Sequence, residues 1–158
     1  MNASLLLEAA EQFGTPLYVY DETTIIDNYR RLKQAFGKQE VKLHYALKAL
    51  SNSEILKTLR REGAGLDAVS IEEVQLGLRA GYAPQEIMYT PNGVAFDEIC
   101  QAVEYGVMVN IDNLSVLEKF GAKYGNSVPV CIRINPHIMA ISYFVWCPSR
   151  HCGYFKSL

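Results

Sequence analysis

Three observations predict an α/β fold on a parallel sheet, built as a (β/α)8 TIM barrel that stops early. From residue 14 to residue 136, short apolar, β-branched runs alternate with longer segments of helical period, the signature of repeated βα units. Runs pass into helices through Ser-x-x-Glu patterns, at Ser51 with Glu54, Ser70 with Glu73 and Ser115 with Glu118, which is how a capping box reads in sequence. Six strand-like runs fit into 158 residues, whereas a closed barrel takes about eight units and roughly 250 residues. By pattern alone an open doubly wound sheet is the alternative, and the chemistry at the strand ends has to separate the two.

The elements follow in order. An opening helix carries Leu6, Ala9, Ala10 and Phe13 on one face, ends at the breakers Gly14 and Pro16, and is expected to plug or flank the barrel. The strands are expected at Leu17 to Tyr20, Val41 to Leu47, Gly65 to Val69, Ile87 to Thr90, Val107 to Ile111 and Val128 to Ile134. Between them Ile25, Tyr29, Leu32 and Phe36 form one helical stripe, and Phe96, Ile99, Cys100 and Val103 form another, each at the spacing that lines one helix face. The stretch from Ala140 to Leu158 breaks the alternation: it holds the single tryptophan, Trp146, and has no readable period. The domain reading is therefore a barrel portion over residues 1–139 and a divergent tail over 140–158.

Composition narrows the function classes. The formal net charge is −2 and the basic residues are scattered, so no electrostatic footprint for nucleic acid exists. The early apolar run Leu5 to Leu7 is followed at once by Glu8 and Glu11, which excludes it as a signal-peptide core or membrane span. A cytoplasmic protein acting on a small ligand is expected. Cys100, Cys131, Cys147 and Cys152 show no disulfide framework. Cys147, His151 and Cys152 cluster, but at a spacing that matches no zinc pattern, so no metal is expected.

In a barrel the catalytic groups come from the C-terminal ends of strands. Lys48 closes the run Val41 to Leu47, among the small and apolar neighbours Ala46, Leu47, Ala49 and Leu50. Loss of hydration there would favour the neutral amine, which attacks aldehydes, and that is how a lysine holds pyridoxal phosphate. A lysine snorkelling at the sheet edge is the plainer reading. Asp67 interrupts the apolar strand Gly65 to Val69; it reads either as a partner inside the barrel mouth or as a loop or capping aspartate. Arg133 sits inside Val130 to Ile134 and must be paired, because a lone buried charge is very costly; Asp67 is an available partner. Asn135 and His137 flank Pro136 as turn residues, and His44 reads as a satisfied core histidine. No glycine-rich phosphate loop is visible.

These residues carry a resemblance. Tyr45-Ala46-Leu47-Lys48-Ala49 is similar to the motif around the cofactor lysine of the ornithine/diaminopimelate/arginine decarboxylase family, whose barrel is of the alanine-racemase-like type. Gly65 to Glu73 resembles the next signature of that family, Tyr89-Thr90-Pro91-Asn92-Gly93 a further one, and Arg133-Ile134-Asn135-Pro136 a fourth, all in register. The wording sits nearest the branch that converts meso-2,6-diaminopimelate to L-lysine, and it covers about residues 14 to 139.

The resemblance implies pyridoxal 5′-phosphate as cofactor, a small amino-acid substrate, and homodimers in full-length members. It implies Lys48 as the catalytic, cofactor-bearing lysine, with Asp67, Arg133, Glu73 and Asn92 as further cofactor-binding positions. Beyond Met139 the match is lost in mid-motif, as a reading-frame shift or truncation would give. The family's later phosphate loop and its C-terminal β-domain are expected to be absent, and little or no activity is expected of the chain alone. Two alternatives stay open: a single-domain, pyridoxal-phosphate-binding barrel of cofactor homeostasis, and a non-catalytic remnant.

Overall fold

The computed structural model describes residues 2–134, together with the backbone of 142–146 and 153–157. Asn135, Pro136 and His137, and the cluster Cys147, His151 and Cys152, lie outside the described residues. Five parallel strands run in strict chain order: β1 (His44–Ala46), β2 (Gly65–Ala68), β3 (Ile87–Tyr89), β4 (Met108–Ile111) and β5 (Val130–Arg133). The crossovers contain α3 (Ser53–Arg61), α4 (Ile71–Arg79), α5 (Phe96–Glu104) and α6 (Leu114–Tyr124). Right-handed crossovers that always step in one direction put every helix on one side of the sheet. A doubly wound sheet would reverse its strand order, so the arrangement is that of a partial barrel.

Two expectations are corrected at the start of the chain. Leu17–Tyr20 forms no strand, so the parallel strands among the described residues number five rather than six. Its side chains stand in solvent, Tyr18 at 90 % exposure, and apolar content without a ladder partner does not make a strand. The opening helix α1 (Ala3–Phe13) does not plug the barrel, since none of its residues is buried. By contrast α2 (Glu22–Ala35) docks on α3: Arg30 donates two hydrogen bonds to Glu62, at 2.7 and 2.8 Å, and Thr58 donates to Glu22. Ile25 and Tyr29 pack there against Ile55, Leu59 and Ala64.

The strand register sorts side chains onto two faces, because parallel partners share a face and neighbours along a strand alternate. One face carries Leu66, Ala68, Ile87, Tyr89, Val109 and Ile111, which pack with helix residues such as Val74, Ile99 and Phe120 into the main core. Gly77 lets α4 come close to this face: a Cβ there would meet Leu66 Cδ1 at 2.7 Å. The opposite, lumen face carries Ala46, Asp67, Met88 and Met108 in one paired row, with Asn110, Cys131 and Arg133 beyond it.

The anticipated helix starts are right in place but only partly right in residue. Ser70 caps α4 as expected. At α3 the cap is Asn52, accepting from Glu54 and Ile55, and at α6 it is Asn113, accepting from Ser115. An asparagine oxygen reaches the free N–H groups as well as a serine hydroxyl does. In the tail, β6 (Ser142–Trp146) pairs antiparallel with β5, and β7 (Gly153–Ser157) pairs antiparallel with β6. Among the described residues of the tail, the two strands form an antiparallel pair.

Candidate active site at the strand C-termini

Lys48 lies in a 3₁₀ turn, Leu47–Ala49, directly after β1. Leu47 is buried in the main core and anchors the turn, which leaves the lysine at the C-terminal mouth of the sheet. The expected desolvation is not found: Lys48 is exposed. The small neighbours that promised an apolar pocket are themselves open, Ala49 being exposed and Leu50 only half-buried.

Asp67 is neither a loop nor a capping residue. It sits within β2 at 8 % exposure, on the lumen face level with Ala46. Arg133 ends β5 on the same face, with β3 and β4 between the two residues. Both carry interactions within the fold, as a buried carboxylate and an intrastrand guanidinium require.

Glu73 occupies the first turn of α4, where its carboxylate accepts a hydrogen bond from Val69 N–H at 2.7 Å while Ser70 Oγ accepts from Glu73 N–H at 3.2 Å. This is a reciprocal cap that satisfies two backbone donors at the helix start. Asn92 is exposed in the loop after β3, beside Gly93, whose φ of 68° turns the chain towards α5. The register therefore places Asp67 and Arg133 on the lumen face, while Lys48 follows β1 in its own turn, Glu73 is engaged at a helix cap and Asn92 stands in the loop beyond.

His44 lies below these groups on the lumen face. Its Nδ1 donates to the Leu66 carbonyl at 3.0 Å, which satisfies one of the two ring nitrogens of the core histidine expected from sequence. Burial holds its pKa below the usual 6.5, with Lys42 adding to the effect and the Leu66 bond and Asp67 opposing it.

Two buried oxygens have no hydrogen-bond partner among the described residues: Tyr89 Oη and Asn110 Oδ1. A buried acceptor or hydroxyl left unpaired costs about 1–3 kcal/mol. Tyr89 points to the helix face, where burial, reinforced by Glu98, pushes its hydroxyl up to about 12. Asn110, at 3 % exposure, is on the lumen face. Sequence reasoning missed it: Asn110 is a polar residue inside the apolar run Val107 to Ile111, and only the strand register places it on the face of Asp67. Thr90, also buried, follows β3 and extends the ladder by donating to the Ala68 carbonyl at 2.7 Å.

A separate apolar cleft of about 450 Å³ opens beside β1, lined by Ile25, Tyr29, Leu43, Tyr45, Leu50 and Leu59 among others. It lies between α2, α3 and the edge strand, among side chains that offer little for catalysis.

The family model of the pyridoxal-dependent decarboxylase, pyridoxal binding domain, matches residues 22–144. The chain belongs to this family. Its cofactor is pyridoxal phosphate. The diaminopimelate decarboxylase of Methanothermobacter thermautotrophicus is 40 % identical over 136 residues, which cover 85 % of this chain and 32 % of that protein. Among solved structures, the Helicobacter pylori diaminopimelate decarboxylase complexed with L-lysine superposes with a TM-score of 0.74 at 34 % identity, covering 87 % of this chain and 35 % of that one. The Vibrio vulnificus lysine/ornithine decarboxylase complexed with putrescine gives 0.75 at 36 % identity, covering 83 % and 36 %. The chain thus spans about a third of the length of these pyridoxal-dependent relatives.

The residues present fit the aldehyde end of the cofactor. An accessible primary amine stands at the mouth, the lumen face carries charged and polar groups where the helix face is almost wholly apolar, and Asn110 presents a buried acceptor with no partner among the described residues. Among the described residues no helix is long and apolar enough to cross a membrane.

Proposed function

We propose that this chain forms the lysine-bearing part of a pyridoxal-phosphate-dependent carboxy-lyase that converts meso-2,6-diaminopimelate to L-lysine and CO₂. The observation that carries the reading is the position of Lys48, immediately past the C-terminal end of β1 and exposed, two residues beyond the row that holds Asp67. The relatives named for diaminopimelate decarboxylation support the choice of substrate.

In this reading Lys48 Nζ would hold the cofactor at its aldehyde end. When bound, pyridoxal phosphate supplies the electron sink into which a carboxylate can be lost as CO₂. Asp67 and Arg133 set the charge of the lumen around it. Glu73 holds the turn between β2 and α4 rigid through its bond to Val69 N–H, and Asn92 borders the mouth. Residues 1–139 are the barrel portion and 140–158 a tail distinct from it. The enzyme is cytoplasmic and homodimeric.

The test is to mix the purified chain with pyridoxal phosphate, reduce with borohydride and map the adduct by mass spectrometry. A pyridoxyl group on Lys48 alone is the expected result. Label spread over several lysines, or none, would overturn the reading and leave the family membership as ancestry.

A further inference from the structure

Asn110 is the buried lumen group to which the reading above gives no role. Register sets its level. Ala46, Asp67, Met88 and Met108 form one paired row across β1 to β4. Two residues further along each chain are Lys48, Val69, Thr90 and Asn110, and Asn110 is paired in turn with Cys131. Side chains two apart on a strand share a face, so Asn110, at 3 % exposure, stands on the lumen face one step nearer the mouth than Met108, while Lys48 follows β1 in its own turn at the same end of the sheet.

The cross-strand partner of Asn110 on this face is Cys131, and the residue two before it on the strand is Met108, neither of them charged. An acceptor buried without a partner is a standing cost that an ordinary core residue would not carry. Such a group is explained when its partner arrives with a ligand.

We propose that Asn110 is a cofactor-contacting residue, whose amide oxygen accepts a hydrogen bond from an O–H or N–H donor of pyridoxal phosphate held at Lys48. The proposal rests on the cofactor reading above and extends it to a residue outside the four sequence motifs. Tyr89 provides the internal control. Its hydroxyl is likewise buried and unpartnered among the described residues, but it faces the helices and packs in the main core.

The experiment compares the full chain with Asn110→Leu and Tyr89→Phe, measuring the thermal midpoint without ligand and the affinity for pyridoxal phosphate by absorbance titration, with borohydride mapping of the site. Removal of one hydrogen bond to the ligand is expected to weaken binding about tenfold in Asn110→Leu, with a midpoint equal to or above that of the unaltered chain. Tyr89→Phe is expected to bind as the unaltered chain does. Equal affinity in Asn110→Leu overturns the proposal, as does weaker binding that tracks a fall in midpoint, which would mark a structural role. If the unaltered chain takes no pyridoxal phosphate at Lys48, the cofactor reading itself fails and this proposal fails with it, a result plainly different from normal binding by both variants.

Discussion

Gly65 at the start of β2 lies against the imidazole of His44 on β1: a Cβ added to Gly65 would come within 2.7 Å of His44 Cε1 and 2.8 Å of Nδ1. The same Cβ would stand 2.8 Å from the Glu86 carbonyl oxygen. The glycine therefore lets a histidine ring lie flat in the floor of the lumen, where its Nδ1 can reach Leu66 O.

Gly65→Ala should destabilise the chain by about 1–3 kcal/mol, the usual cost of overfilling a packed interior. Trimming the ring in a Gly65→Ala/His44→Ala pair removes two of the three clashes but leaves the backbone oxygen of Glu86. Urea denaturation should show that the double substitution fails to return to the stability of His44→Ala alone. A full return would mean that the ring is the whole obstacle.

The buried His44 makes stability depend on pH in a defined direction. Its pKa in the folded chain lies below the usual 6.5 because burial disfavours the imidazolium. The unfolded chain binds the proton first as pH falls, so the contribution is fully present above about 6.5 and is lost as pH drops through the lower, folded value. The slope is at most about 1.4 kcal/mol per pH unit for one proton. Urea midpoints taken between pH 8 and 5 should fall for the unaltered chain, and the fall over the first unit below 6.5 should flatten in His44→Asn. An equal slope in both would assign the dependence to other groups.

Lys48 is exposed and its side chain supports no packing, so Lys48→Ala should move stability by no more than about 0.5 kcal/mol. The same substitution should abolish the borohydride-trapped pyridoxyl adduct. Adduct formation elsewhere at an undiminished level would show that the labelling is surface chemistry, whatever the stability result.

Much of this architecture was legible because hydrophobic period and βα alternation report on burial, which the fold has to satisfy. The strands at residues 44, 65, 87, 108 and 130 all fall inside the runs anticipated for them. Leu17–Tyr20 misled for a physical reason: its composition suits a strand, but a strand also needs a neighbour to pair with, and composition does not report one. The caps slid from Ser51 to Asn52 and from Ser115 to Asn113 because several side chains near a helix start can accept the same N–H groups. At the site, the residue type of Lys48 pointed to its chemistry, yet its exposure depends on what surrounds it in space. Asn110 was readable only once the register had placed it on the same face as Asp67.

Glu73 separates a structural duty from a chemical one. Its carboxylate accepts from Val69 N–H at 2.7 Å, and the Ser70 hydroxyl accepts from Glu73 N–H in return. Glu73→Ala removes the side-chain half of this cap and should cost about 0.5–2 kcal/mol, as losses of helix caps do. Glu73→Gln keeps an oxygen that can accept the same bond and should lose little stability. If Glu73 also bears on the cofactor through its charge, Glu73→Gln should bind pyridoxal phosphate more weakly than the unaltered chain at nearly unchanged thermal midpoint. Should affinity instead follow stability, falling in the alanine variant and holding in the glutamine variant, the residue acts on the site only by fixing the turn between β2 and α4.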